Sequence, residues 1–361
     1  MRSENDMSRF FSSKFRDLKA YVPGEQPREM KYIKLNTNEN PYPPHPDVAA
    51  HVAGEAVRLN LYNDTECSEL REVMAQRLGI LPENLLFTNG SDEILNFAFM
   101  AFCDMNTPAV FADITYGFYS VFSQINQVPF RTVPLREDMS IRPEDYYHCG
   151  GTVFIANPNA PTGIALPKKE IIRILEENPD HVVVVDEAYI DFGGESCISL
   201  IERYRNLLVT QTFSKSRSMA GLRLGFGAAC PELIRDLKTI QFSTNPYNVD
   251  RLAQAAGIAC IQQDEYNAAH TREIIETRES TAAAMKKMGF SMTESSTNFL
   301  FVRHPAIEGE KLYLELKKRG ILIRHFSQSR IREYNRITVG TPGQMQTLLK
   351  VTAEILEEQI K

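Results

Sequence analysis

The chain has 361 residues, more than one hydrophobic core usually organises, so two domains are expected. Its 43% hydrophobic and 24% charged residues are ordinary for a soluble globular protein, and a net charge of −6 argues against the basic footprint of a nucleic-acid binder. No apolar run approaches the roughly 20 residues that span a bilayer, so no membrane role is expected. The polar start Met1–Asp6 lacks the apolar stretch of a signal peptide. Six cysteines are scattered without a CxxC pair, which supports neither a disulfide framework nor a metal site.

Residues 1 to about 45 read as irregular and proline-rich, with Pro23-Gly24 and Asn40-Pro41-Tyr42-Pro43-Pro44. From there apolar runs and helical patterns alternate. Glu66–Leu78 reads as a helix and Leu85–Thr88 as a strand. Glu93–Phe102 is amphipathic, and Ala109–Phe111 and Thr152–Ala156 are strand candidates. The helix candidate Lys168–Leu175 precedes strand candidates at Val182–Val185, Leu207–Thr210 and Leu224–Ala228. This alternation predicts a three-layer α/β/α domain around a mostly parallel sheet. After about residue 265, the helical pattern Asn267–Lys287 leads into a second α+β unit. That unit holds Phe299–Val302, Leu312–Lys318, Ile321–Arg324, Ile337–Val339 and a final helix, Gly343–Glu358. The expected division is an N-terminal arm (1–45) near a small C-terminal domain (266–361), with a large domain (46–265) between.

In a parallel α/β sheet the ligand sits at the carboxyl ends of the strands, and the chemically capable residues fall there. Asn89-Gly90-Ser91-Asp92-Glu93 links a strand to a helix; Ser91 or Asp92 could cap it, and free N–H groups there could bind a phosphate. Taken alone, the segment reads equally as plain connection chemistry. Tyr116 follows a strand and could stack on a flat heterocycle, although a lone loop tyrosine is more often packing. Asn157-Pro158-Asn159-Ala160-Pro161-Thr162-Gly163 is a tight turn, with an asparagine at the strand end free to hydrogen-bond a ligand oxygen. Asp186 ends a valine run expected to be buried on both faces. A carboxylate there is costly without a cation, be it a structural one or a ligand's. Tyr189 stands three residues on.

Lys215 lies among hydroxyls in Thr212-Phe213-Ser214-Lys215-Ser216, with Gly221 and Arg223 downstream. A nucleophilic lysine, a strand-end carboxylate and a phosphate-ready arginine are the parts that hold pyridoxal 5'-phosphate (PLP). The lysine forms a Schiff base, and the carboxylate keeps the pyridine nitrogen protonated. Arg324 and Arg336 flank short strands of the second unit. Either could grip an anionic substrate group, or sit solvated at a strand end.

The pattern resembles the fold-type I PLP enzymes and, more closely, the histidinol-phosphate aminotransferases of the class-II type. The resemblance runs from Tyr21-Val22-Pro23-Gly24 and Leu35–Pro41 through Asn89–Glu93, Asn157–Gly163, Asp186–Tyr189, Ser214-Lys215 and Ala220–Arg223 to Arg336–Pro342. It implies that Lys215 binds the cofactor covalently, Asp186 pairs with its ring nitrogen, Asn157 and Tyr189 hold its phenolic oxygen, and Tyr116 stacks on the ring. Gly90, Ser91, Asp92, Thr212, Ser214 and Arg223 would surround its phosphate. Tyr62 matches a tyrosine that reaches the partner subunit's cofactor, which implies a homodimer with shared sites. Tyr21, Asn40, Arg324 and Arg336 match substrate-binding positions. The implied reaction is amino transfer between histidinol phosphate, or a similar anionic or aromatic amine, and 2-oxoglutarate in the cytoplasm. Threonine-phosphate decarboxylation and aromatic amino-acid transamination are alternatives on the same scaffold. A PLP-binding transcriptional regulator would need a further DNA-binding module. The chain departs from the family where Asn63 follows Tyr62 and where Ser216-Arg217-Ser218 follow Lys215; Arg217 places a possible extra cation near the site.

Overall fold

Apart from one edge strand, the strands between residues 85 and 229 carry no charge before their last position. Such strands need cover on both faces, and the helices between them provide it. The computed structural model describes residues 8–18, 20–27 and 29–360; the start Met1–Asp6 lies outside them. The large sheet contains β1 (Leu85–Asn89), β2 (Ala109–Ala112), β3 (Phe130–Val133), β4 (Thr152–Ala156), β5 (Val183–Asp186), β6 (Leu207–Thr212) and β7 (Leu224–Ala229). Their order across the sheet is β1-β7-β6-β5-β4-β2-β3, and β7 alone runs antiparallel to its neighbours.

Strand parity divides the core. Val153, Ile155, Val183, Val185, Leu207 and Val209 pack on one face, against α2 (Ser68–Leu78), α5 (Lys168–Glu176) and α7 (Arg251–Gln262). Phe154, Ala156, Val184 and Leu208 pack on the other, against α3 (Ser91–Phe102), α4 (Phe118–Ile125) and α6 (Pro231–Thr244). Asp186 has the parity of Val184 and so faces α4. Glu187 falls on the opposite side, where Cys197 N, Ser196 and Gln211 hydrogen-bond its carboxylate.

A second sheet joins β8 (Ser291–Met292), β9 (Phe299–Arg303), β11 (Arg324–His325) and β12 (Asn335–Thr338), all antiparallel. Helices α8 (Asp264–Lys287), α9 (Gly309–Lys318) and α10 (Pro342–Ile360) accompany it. The N-terminal segment is tied here: Ile33–Lys34 pairs in parallel with β10 (Ile321–Leu322), and Leu35 is buried among Leu300, Ile321 and Ile337.

The structure adds elements that the sequence pattern does not mark. β3 is an edge strand with three of its four residues exposed, so it has no apolar run to announce it. Helix α1 (Pro46–Ala56) buries only Val48, and α7 is apolar nearly all round, so neither shows a clean amphipathic stripe.

Candidate active site

Register brings the motifs together. Ala156 lies opposite Asp186, and Asp186 opposite Thr210. Because β7 is antiparallel, its first residue Leu224 lies beside Asn89, and Gly225 lies opposite both Thr88 and Thr212. Arg223, just before β7, therefore arrives at the carboxyl ends of β1 and β6. A cavity opens there, and its lining includes Asp92, Tyr116, Asp186, Tyr189, Lys215 and Arg223.

Asp186 is buried, with 5% of its surface exposed. The Tyr119 hydroxyl donates to its Oδ2 at 3.0 Å and the Thr210 hydroxyl to its Oδ1 at 3.3 Å. No Lys, Arg or His among the described residues pairs with it. Burial pushes its pKa up to about 6, against the pull of the Tyr119 hydrogen bond. Sequence reasoning missed both donors. Tyr119 lies in the first turn of α4, and its ring meets that of Tyr116 edge-on with centres 5.7 Å apart.

The phosphate-ready end is built from backbone and side chains. Helix α3 begins at Ser91 with Gly90 as N-cap, and no side chain caps it, so the expectation that Ser91 or Asp92 would do so is not met. Asp92 instead accepts from the Tyr116 hydroxyl at 2.6 Å and pairs with Arg223 at 3.2 Å. Arg223 also donates to Ser214 Oγ at 3.2 Å, and Thr212 Oγ1 donates to the same Ser214 oxygen at 3.0 Å. Gly90 is required: its φ is +76°, and a Cβ would lie 2.5 Å from Arg223 Nη2. Helix N–H groups, two hydroxyls and a guanidinium thus face one place, suited to a phosphate.

Lys215 has no carboxylate partner among the described residues. Its Nζ lies 3.4 Å from the Thr37 carbonyl and 5.7 Å from the centre of the Tyr189 ring. The Tyr189 hydroxyl accepts from Asn38 at 2.8 Å. Asn38 sits at φ +55° and is fixed by Thr338 and Asn298; sequence reasoning gave it no role. Asn40 points its amide at the Lys215 and Ser216 carbonyls, at 3.1 and 3.2 Å, and so steadies the lysine's loop. Asn157 is buried between the lining residues Ala156 and Pro158, and its side chain donates to Leu166 O at 3.0 Å and accepts from Leu166 N at 2.8 Å. One amide hydrogen stays uncommitted. Arg217 turns away from the cavity. It is buried over the Phe213 ring and pairs with Asp191 at 3.4 Å, so it adds no cation to the site. Ser216 donates to the same carboxylate.

A second cavity of about 400 Å³ adjoins the first and shares Tyr116, Ala160, Tyr189 and Lys215 with it. Tyr21, Arg324 and Arg336 line it. Arg336 has no carboxylate partner among the described residues. One nitrogen donates to Asn36 O at 3.1 Å, its buried Nε has no partner, and burial lowers its pKa. Arg324 donates to the Val22 and Pro23 carbonyls. Tyr21 packs on Phe118, with ring centres 4.3 Å apart. Tyr62 is in neither cavity. It is 79% exposed and stacks on Tyr247.

A lysine between a carboxylate without a cation and an arginine without an anion, on a sheet of this order, defines a transferase-type α/β site. Residues 30–351 match the profile of the aminotransferase class I and II family, and the chain belongs to that family. It is 44% identical to a histidinol-phosphate aminotransferase of Clostridium acetobutylicum over 97% of this chain and all of the relative. It is 45% identical to the one from Aromatoleum aromaticum, over 97% and all, respectively. Among solved structures, the histidinol-phosphate aminotransferase of Sinorhizobium meliloti in complex with pyridoxal-5'-phosphate superposes with a TM-score of 0.88 at 21% identity, covering 98% of this chain and 99% of that one. That likeness speaks for the fold. No helix among the described residues is long and apolar enough to cross a membrane.

Proposed function

We propose that this aminotransferase uses pyridoxal 5'-phosphate to move an amino group between histidinol phosphate and 2-oxoglutarate. The observation that carries the reading is Lys215 at the junction of two cavities, with unpaired Asp186 in one and unpaired Arg336 in the other. The residues suit the cofactor. Asp186 is a buried carboxylate in want of a cation, which a pyridinium nitrogen provides. The uncapped start of α3 (Gly90, Ser91, Asp92), with Thr212, Ser214 and Arg223, suits its phosphate. Tyr116 offers a ring face, Tyr189 a hydroxyl and Asn157 its spare amide hydrogen. When bound, the cofactor supplies a reactive carbonyl and an electron sink.

The chain's own groups then divide the work. Lys215 Nζ takes the proton from the substrate carbon that bears the amine. Asp186 stays ionised once a cation faces it. Asn40 and Asn38 hold the Lys215 loop and the Tyr189 hydroxyl in place. Arg336 and Arg324 bind the anionic end of either substrate, phosphate or carboxylate, and Tyr21 covers it. The names borne by the relatives at 44–45% identity favour histidinol phosphate over threonine phosphate or an aromatic amino acid.

The reading extends to a homodimer with shared sites. Tyr62 is exposed beside Val57, Leu59 and Leu61, as expected of a side chain that enters a partner's phosphate site. It also includes a cytoplasmic setting and a division into an arm (1–45), a large domain (46–265) and a small domain (266–361). To test it, purified protein is supplied with PLP, histidinol phosphate and 2-oxoglutarate, and glutamate is measured. Glutamate formed at a rate dependent on histidinol phosphate supports the reading. Carbon dioxide from threonine phosphate, or turnover of aromatic amino acids alone, overturns the substrate assignment.

A further inference from the structure

Two walls of the substrate cavity come from distant parts of the chain. Ile114, Thr115, Tyr116 and Gly117 follow β2 and form one; Phe326, Gln328 and Ile331, between β11 and β12, form the other. No backbone ladder joins the two. Side chains do, and one guanidinium makes most of the polar contacts. Arg330 Nη1 meets Asp113 Oδ2 at 2.8 Å, and its Nη2 donates to the Leu135 and Arg136 carbonyls at 2.9 and 3.0 Å. Asp113 directly precedes the first wall, and its other oxygen accepts from Leu135 N at 2.9 Å. Gln328 adds a bond to the Asp113 carbonyl at 3.3 Å. Next to Arg330, Ile331 is buried with Ile114, Leu135 and Met139.

We propose that Arg330 is a positioning residue that latches the 326–334 loop to Asp113 and so sets the width of the substrate cavity. It touches neither reacting atoms nor the cofactor site. Its planar fork fits this place: one side satisfies a carboxylate while the other satisfies two carbonyls, a pattern lysine cannot reproduce. An exposed ion pair alone would contribute little. Here the pair is half-buried, with side-chain exposures of 35% and 23%, and two further hydrogen bonds back it. With the latch released, Phe326, Gln328 and Ile331 lose their fixed distance from Tyr116. The substrate then has to order the loop as it binds, which raises KM and leaves the proton transfer at Lys215 largely intact.

The kinetic test of the latch rests on the proposed amino transfer, so a second readout is needed that does not. In the holoenzyme, Arg330→Ala is expected to raise KM for histidinol phosphate about tenfold with kcat within about threefold. Arg330→Lys should recover part of the loss, and Asp113→Asn should resemble Arg330→Ala. The Asp113→Asn/Arg330→Ala double variant should be no worse than either single change. Hydrogen exchange without substrate should show faster exchange of residues 326–334 in Arg330→Ala, with β5 and β6 unchanged. An unchanged KM, a loss confined to kcat, additive single effects or unchanged protection of the loop each overturn the latch. A wild-type enzyme inactive on histidinol phosphate sinks the substrate reading, and the exchange comparison then decides the latch alone.

Discussion

Two charges lie unpaired on either side of Lys215, and the protein treats them differently. Asp186 is held rigidly: it ends a central strand, is 5% exposed, and receives hydroxyl bonds from Tyr119 and Thr210. Arg336 is held with fewer hydrogen bonds: it lies over the Phe299 and Phe326 rings, makes one carbonyl bond and keeps an orphaned Nε. Both donors to Asp186 belong to the large sheet or to a helix packed on it. The surroundings of Arg336 come from the N-terminal arm, the loop after β2 and the loop before β12. A charge buried at a fixed depth and hydrogen-bonded at both oxygens suits a resident group. A charge with a free donor, in a cavity assembled from separate segments, suits a ligand that comes and goes.

Substitutions can break that contrast. The largest effect is expected at the shared residue: Lys215→Ala should lower turnover by more than about 10⁴-fold, because the proposed nucleophile and general base would be lost together. Asp186→Asn should lower kcat by about 10²–10³-fold. It should also remove a stability trend. The folded-state pKa of Asp186, about 6, lies above its ordinary 3.8, so between those values the folded apo-protein binds more protons than the unfolded chain. The stability contributed by Asp186 therefore falls as pH rises from about 4 to about 6. Apo Asp186→Asn should match wild type near pH 4 and exceed it above pH 7 by on the order of 1–3 kcal/mol in urea titrations. Equal pH slopes for the two apo-proteins would mean that Asp186 awaits no cation.

Arg336→Ala should spare cofactor binding and raise KM for the anionic substrates about 10–100-fold, read from initial rates with each substrate varied in turn. A matching loss of cofactor affinity would erase the distinction between the two charges. The smallest effect on activity is expected at Arg217. Its guanidinium packs on Phe213 and pairs with Asp191, so Arg217→Ala should lower Tm by a few degrees and leave KM within about twofold.

The same contrast governs what is legible in the sequence. The sheet side is legible because each motif sits where an apolar run stops, and strands that pair in register bring their ends together: Asn89-Gly90, Asn157, Asp186 and Thr212 all follow this rule. What supports them is not. Tyr119 and Asn38 act through side chains 67 and 151 positions away, on Asp186 and Tyr189, and no local pattern encodes such a partner. The motif around Asn40 points to substrate contact, yet its amide is turned to the lysine loop. Arg217 looks like a cation near the site because three residues of sequence say nothing of direction; its own contacts with Phe213 and Asp191 settle it. The edge strand β3 has no signature because three of its four side chains face solvent.

The central claim is that Lys215, and no other lysine, is the nucleophile of this site. It is tested most directly by incubating the protein with pyridoxal phosphate, reducing with borohydride, and mapping the modified peptide by mass spectrometry. One pyridoxyl group per chain is expected, on Lys215, and none after Lys215→Ala. Stoichiometric label on a different lysine, or an unlabelled Lys215 in protein that holds the cofactor, would contradict it.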